Sequence, residues 1–437
     1  MILLASHAIE HARSSGADEV EAYCLTDRSV SINTKLEHIE YARESFARGV
    51  GIRAIVSGAV GFSSTNREDS TEEASLLAVR SARASQPDPD WSSLPHQGSY
   101  PAVHGIFDPK LAEIELSECV ELAADLIRGV TSAGAVPTSG GLSVSTGTGY
   151  IVNTNGIEHT EEGTSIAASI ECIVKDGSDI STAYEFDISR NLDIDTYEIG
   201  KRAGELAKQS LHGGKIDTAR TAVLFCPLAI ADILEYTFTP SLSADNVQKG
   251  RSMLSQIGAE VAAGELTIYD DGLRTGGIGT AQTDDEGTPS QKTSIIEDGI
   301  LKNHLHDAYT AGKADTGIAS TGNAIRSGYG TTPSIDVRNL VIEYPSSDIV
   351  AETQNGVLVH SVIGAHTANP YSGDFSIEAR NSFLVGDGEV KQPIKSLMIA
   401  GNIFDMLKNI DGAGADSRAV GGVVVPTLRV PDMHVIG

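Results

Sequence analysis

Leu3, Leu4, Ala8, Ile9 and Ala12 recur at helical spacing and the pattern stops at Gly16, which predicts an amphipathic helix closed by a glycine cap. Alternation follows, with Val20, Ala22 and Cys24, then Val30 and Ile32. Val50, Ile52, Ala54 and Val56 meet Ser57-Gly58 before Val60 and Phe62, a hairpin signature. Ser70-Thr-Glu-Glu73 has capping-box spacing and leads into a second helix carrying Leu76, Leu77, Val79 and Ala82. The stretch from Gln86 to Pro101 is rich in Pro, Asp and Ser and keeps neither period, so it reads as a surface connection and a subdomain boundary.

A helix is expected around Ser117 to Arg128. Strand patterns resume at Leu142 to Thr146 and Tyr150 to Val152, turn at Asn155-Gly156, run on from Thr164 to Val174 and turn again at Lys175-Asp-Gly-Ser178. Asp195 and Glu198 open a helix that Gly213-Gly214 ends. The two sheet-and-helix lobes suggest a divergent duplication. Beyond Lys215 comes an apolar strand, Thr221 to Phe225, then Pro227 at a first helical position before Leu228, Ile230, Ile233 and Leu234. After Glu265, short alternating runs dominate: Asn339 to Tyr344, Gly356 to Val362, Phe383 to Val385 and Gly421 to Val425. The expected class is α+β, with N-terminal sheet-and-helix lobes over residues 1–215, subdivided near 86–101, and a mostly antiparallel β-rich domain over 216–437.

A length of 437 residues suits two or three domains. The 59 acidic residues against 32 basic ones give a formal charge of −27, a field that repels a phosphate backbone, so direct nucleic-acid binding is not expected. The densest basic cluster, Lys201 and Arg202 with Lys208, fits one solvated helix face. Cys24, Cys119, Cys172 and Cys226 are scattered, form no CxxC pair and read as buried free thiols of a reducing compartment. The first residues lack a basic n-region and no apolar run is long enough to span a bilayer, so a cytoplasmic location without membrane insertion is expected.

The search for catalytic motifs is mostly negative: there is no HExxH, P-loop, G-x-S-x-G or nucleotide-binding G-x-G-x-x-G. Gly272 to Gly279 is glycine-rich, but Asp270, Asp271, Asp284, Asp285 and Glu286 flank it and make it a poor phosphate cradle. It reads as a mobile surface loop. His304 and His306 form the one close histidine pair. On a strand they share a face, where they could join Asp307, His360 or His366 around a metal, the alternative being a hydrogen-bonded strand end.

Several stretches, in order, carry a resemblance that runs from about Val20 to the C-terminus. They are Gly49-Val-Gly-Ile-Arg-Ala-Ile, Gly61-Phe, Asn153-Thr-Asn-Gly156, Asp298-Gly-Ile-Leu-Lys302, Ser320-Thr-Gly-Asn323-Ala-Ile-Arg326, Gly373-Asp-Phe-Ser376 and Ala400-Gly-Asn402-Ile-Phe-Asp405. In these the chain resembles the TldD/PmbA family, named for a modulator of DNA gyrase. The TldD branch carries His-Glu-x-x-x-His on a helix, its histidines holding zinc and its Glu acting as general base. The family's acidic residue and Lys-Gly-x-Ser stretch match Asp245 and Lys249-Gly-Arg-Ser252, which sets Glu235-Tyr-Thr-Phe-Thr-Pro240 at the zinc-motif position. Glu235 and Pro240 replace the histidines and Tyr236 replaces the base, so the resemblance is to the TldE/PmbA branch, and Pro240 implies that the helix ends there.

The resemblance implies a non-catalytic subunit of a cytoplasmic metallopeptidase that cuts unfolded peptides. It would hold no cofactor of its own, with zinc in a TldD-type partner, and would form a heterodimer with that partner or a homodimer without it. Thr321, Asn323, Arg326, His366, Asn369, Asp374 and Ser376, in glycine-rich strand-end loops, are candidates for peptide contact. The alternatives are a metal-dependent hydrolase built on His304, His306 and His366, and an acidic modulator of DNA gyrase.

Overall fold

The computed structural model describes residues 1–314 and 317–437. The chain opens with α1 (Ile2–Ser14), then β1 (Glu19–Lys35), β2 (His38–Val56), β3 (Ala59–Thr65) and α2 (Thr71–Ala84). After an extended segment and the short α3 (Pro109–Ala112), the same order recurs. It runs α4 (Leu116–Ser132), β4 (Val136–Asn153), β5 (Glu158–Asp176), β6 (Asp179–Ser189) and α5 (Thr196–Gln209). The two αβββα units do not form separate lobes. Their strands join through β1 and β4 into one antiparallel sheet of order β3-β2-β1-β4-β5-β6.

Alternation explains how this sheet is used. Successive strand residues point to opposite faces, and even-numbered positions of four strands face the helices. Val20, Ala22, Cys24, Val50, Ile52 and Ala54 pack under α1 and α2, while Val30, Ile32, Leu142, Val144, Ile166, Ala168 and Ile170 pack under α4 and α5. One long sheet thus carries two helix pairs, each over its own core. The odd-numbered face, with Glu21, Arg53 and Asn153, turns toward the second half of the chain and is buried there. Gly49 and Gly51 lie on that face because Tyr329 presses against them. A Cβ on Gly49 would stand 2.3 Å from the Tyr329 ring, and one on Gly51 2.1 Å from the Tyr329 carbonyl oxygen.

The second half contains β7 (Ala219–Phe225), α6 (Pro227–Thr237), α7 (Thr239–Leu242), α8 (Ala244–Gln248), β8 (Thr267–Asp271), β9 (Lys292–Glu297) and β10 (Ile300–Leu301). Next come α9 (Ala308–Lys313), the two-stranded β11 (Ala324–Ile325) and β12 (Ser334–Ile335), β13 (Leu340–Glu343), β14 (Asn355–Ile363) and β15 (Asp374–Gly386). Then follow β16 (Glu389–Ile394), β17 (Leu397–Asn402), α10 (Ile403–Asn409), β18 (Gly412–Ala413), β19 (Arg418–Val420), β20 (Val423–Val425) and β21 (Leu428–Ile436). One sheet has the order β10-β9-β8-β13-β20-β19. In the other, a β14–β15 pairing closes the ladder β14-β7-β21-β17-β15 on itself. Most pairings are antiparallel, the parallel ones being β13–β20 and β14–β7. Ile230, Ile233 and Leu234 of α6 join both sheets in a single core. The architecture is α+β.

Local details depart from the sequence reading. Leu3 is 85% exposed, and Ala5 takes the buried place on α1, because α1 meets the sheet through its small side chains. Ser70 does not cap α2: its hydroxyl donates to Asp69. Reciprocal capping occurs instead at Glu115 and Glu118 of α4. The 86–101 connection is fastened rather than loose. Leu94 is buried, the Trp91 indole donates to Glu19 at 2.9 Å, and Asn153 donates to the Pro95 carbonyl. Cys24, Cys119 and Cys172 are buried free thiols and Cys226 is half-buried, and burial raises all four thiol pKa values to about 11 or 12.

Candidate functional site

α6 begins at Pro227, where a missing N–H costs nothing, and is buried on nearly every side. Asp232, Glu235 and Tyr236 form its polar stripe. The helix ends at Thr237. Thr239 donates to the Glu235 carbonyl, and Pro240 sits in the first turn of α7, where proline is tolerated. Asn246 of α8 donates to the Pro240 carbonyl at 2.7 Å and holds the two short helices together.

This corner opens on a cleft of about 590 Å³. Glu235, Tyr236, Thr239 and Pro240 form one wall, Asp245 and Asn246 the next, and Asp307 with Pro333 to Asp336 the far side. The charge is one-sided. Burial, and then the neighbouring Glu235, raise Asp232 to about 6; burial and Asp336 raise Glu235, and burial raises Asp336. Burial, reinforced by Glu286, raises Asp307, while Asp245 pairs with Lys249 at 2.7 Å. Such carboxyls can accept hydrogen bonds from peptide N–H groups or, when protonated, donate to peptide carbonyls.

His366 lies on an exposed 3₁₀ turn with its ring edge-on to Tyr236, centroids 6.4 Å apart, but is not among the residues that line the cleft. Asn369, Asp374 and Ser376 are exposed nearby in sequence. Asn369 accepts from the backbone of Tyr371 and Ser372, and Asp374 accepts from Ser372 and Asn402. Asn323 and Arg326 are placed otherwise, and their reading as peptide contacts is corrected, whereas Thr321 is half-buried and lines a separate cavity. The Thr321 hydroxyl donates to Asn323, whose buried amide donates to Asp270 at 2.7 Å. Arg326 is buried against Glu21 and the Thr331 carbonyl, so neither it nor Asn323 is free to meet a ligand.

Arg326 belongs to a buried charge network that joins the two halves of the chain. Arg53 bridges Glu21 at 2.8 Å and Glu286 at 2.7 Å, while Arg326 binds Glu21 from the other side. Asp284 beside Glu286 is buried too and Asp285 is half-buried, and desolvation raises both. The glycine-rich stretch before them is therefore no mobile surface loop. The Arg190 guanidinium donates to its Gly277 and Ile278 carbonyls and ties it to the N-terminal sheet. Sequence reading missed this network because each partner is recruited from a distant segment.

The histidines reserved for a metal do not converge. His304 and His306 lie outside any strand and line a different cavity, His360 binds Glu185 at 3.0 Å, and His366 stands by Tyr236. Among the described residues no three His, Cys, Asp or Glu side chains are grouped to hold a metal, which corrects the His304, His306 and His366 alternative.

The chain matches the PmbA/TldA metallopeptidase domain 1 over residues 20–85, the central domain over 109–211 and the C-terminal domain over 218–437. An uncharacterized protein of Methanocaldococcus jannaschii is 33% identical, the alignment covering 89% of this chain and 90% of that one. The metalloprotease PmbA of Escherichia coli is 25% identical, covering 99% and 95%. The crystal structure of TldE from Thermococcus kodakarensis superposes with a TM-score of 0.90 at 27% identity, covering 99% of this chain and all of the other. The chain belongs to the PmbA/TldD metallopeptidase family. The zinc of that family requires imidazole or thiolate donors alongside carboxylates. The cleft at Glu235 offers carboxylates spread over separate walls with no imidazole among its lining residues, and they do not fit a zinc ion.

Proposed function

We propose that this chain is a TldE/PmbA-like subunit of a cytoplasmic metallopeptidase acting on unfolded peptides, its catalytic zinc held by a TldD-type partner. The observation that carries the reading is the cleft. Glu235, Tyr236 and Pro240, which the sequence resemblance aligns with the zinc motif, line it and are ringed by carboxyls. Such a surface serves as the wall of a peptide chamber, accepting hydrogen bonds from main-chain N–H groups and basic side chains. The metallopeptidase family and the similarity to TldE support the same assignment.

The test combines metal analysis of the dialysed chain with cleavage of an unfolded peptide, assayed with and without a TldD-type subunit. Less than about a tenth of an equivalent of zinc, with cleavage only in the mixture, is expected. Near-stoichiometric zinc together with cleavage by the isolated chain would sink the proposal.

A further inference from the structure

The segment from Asn303 to Asp307 separates two cavities of opposite character. Asp307 lines the acidic cleft, whereas His304 and His306 line a second cavity of about 530 Å³. This second cavity lies beside Lys292, Thr293 and Ser294 of β9, a stretch that pairs with β8 but is not reached by β10, which pairs only with Ile296 and Glu297. No described residue lining it carries a carboxyl group, while two lysines, Lys292 and Lys302, line it. In a chain of 59 acidic and 32 basic residues this is a local reversal of charge.

The cavity also holds polar atoms with nothing to bind. Thr293 and His306 are each only 6% exposed, and the Thr293 hydroxyl oxygen and the His306 Nδ1 lack hydrogen-bond partners. Leaving such groups buried and unpaired is unfavourable, a cost that a ligand reaching them removes. The neighbouring groups are already engaged: His304 Nε2 donates to the Leu254 carbonyl, and Asn303 donates to the Ser294 carbonyl at 2.8 Å. Lys302 is held only loosely, 3.8 Å from Glu297, and the Lys292 ammonium rests 3.4 Å from the centre of the Tyr269 ring.

We propose that this cavity is an oxyanion-binding site for a small carboxylate such as the free C-terminus of a peptide. Lys302 and Lys292 supply the charge, and the unpaired Thr293 hydroxyl supplies a buried hydrogen-bond donor. An unpaired hydroxyl donor beside two cations matches what a carboxylate needs, since charge-assisted hydrogen bonds are the strong ones. The same chemistry would accept inorganic phosphate. The inference does not depend on the subunit reading, because binding is measured on this chain alone, without partner or cleavage.

The experiment is calorimetric titration of the purified full chain at low salt. The probes are N-acetyl-trialanine with a free carboxylate, the same peptide amidated at its C-terminus, and inorganic phosphate. The acid should bind about tenfold or more tighter than the amide. Replacing both surface lysines, Lys292→Met with Lys302→Met, should weaken it by a similar factor, and Thr293→Val should weaken it several-fold, roughly the effect of one hydrogen bond. Phosphate binding with the same dependence on these residues, and no peptide binding, would keep the oxyanion site and assign it to free anions. Equal affinity for acid and amide, indifference to the lysine pair, or no binding of either anion would overturn the proposal.

Discussion

Arg53 joins two carboxylates from opposite halves of the chain, and its removal should be felt by the whole molecule. The Arg53, Glu21 and Glu286 side chains are 7%, 1% and 2% exposed. In Arg53→Met, Glu21 keeps Arg326, but Glu286 keeps only the Ala308 backbone N–H. Breaking a buried ion pair by removing one partner costs about 3–5 kcal/mol, a large part of the roughly 5–15 kcal/mol that holds an ordinary domain folded. The urea midpoint should therefore fall by on the order of 1 M or more. Trp91, the one tryptophan, gives a built-in probe, since the Arg53 guanidinium lies 5.9 Å from its ring. Because Glu286 belongs to the C-terminal half, Trp91 fluorescence and far-UV circular dichroism should cease to report the same transition. Adding Glu286→Gln should recover part of the loss, with a coupling of about 0.5–3 kcal/mol in the double-mutant cycle. A single variant within about 0.5 kcal/mol of the parent, or strictly additive effects, would show that the network does not hold the halves together.

Two further outcomes can be checked by thermal melts. Gly61→Ala would place a Cβ 2.1 Å from the Ala82 amide nitrogen and 2.2 Å from the Ala78 carbonyl oxygen, against backbone that cannot rotate away. A loss of about 1–3 kcal/mol is expected, and an unchanged Tm would mean that α2 does not seat on β3 as described. Asp232 has a folded-state pKa raised to about 6 from an ordinary 3.8. Its contribution is fully present below the unfolded value and is lost as pH rises through about 6. Asp232→Asn should therefore match the parent near pH 4 and become the more stable of the two by pH 8. A constant difference across that range would count against the burial assigned to this carboxyl.

The turns were legible in the sequence because they are local. Ser57, Gly58, Gly156 and Gly177 adopt the left-handed backbone that their turns require. The helix from Asp195 was legible for the same reason, its carboxylate accepting from the Glu198 N–H. The joining of the two αβββα units was not, since Glu21 pairs with Asn153 across more than a hundred residues without any local signal. The pairing of the acidic run from Asp284 to Glu286 was not legible because its arginines, Arg53 and Arg326, lie elsewhere in the chain. Both arginines do sit in stretches that carried the family resemblance, so the clue was present without its geometry. At the cleft, Glu235, Tyr236 and Pro240 were found through that resemblance, whereas Asp336 arrives from a distant loop with no motif to mark it.

The single sheet also has a history during synthesis. Lys35, the last residue of β1, aligns with Ser139 of β4, and Glu21 with Asn153. A ribosome adding about 5–20 residues per second therefore leaves this edge of β1 without its neighbour for roughly 5–26 s. During that interval the first αβββα unit presents an open ladder that any nascent strand nearby could occupy. Correct pairing depends on the second unit arriving before a stranger does, which makes this edge the place where a chaperone would matter most.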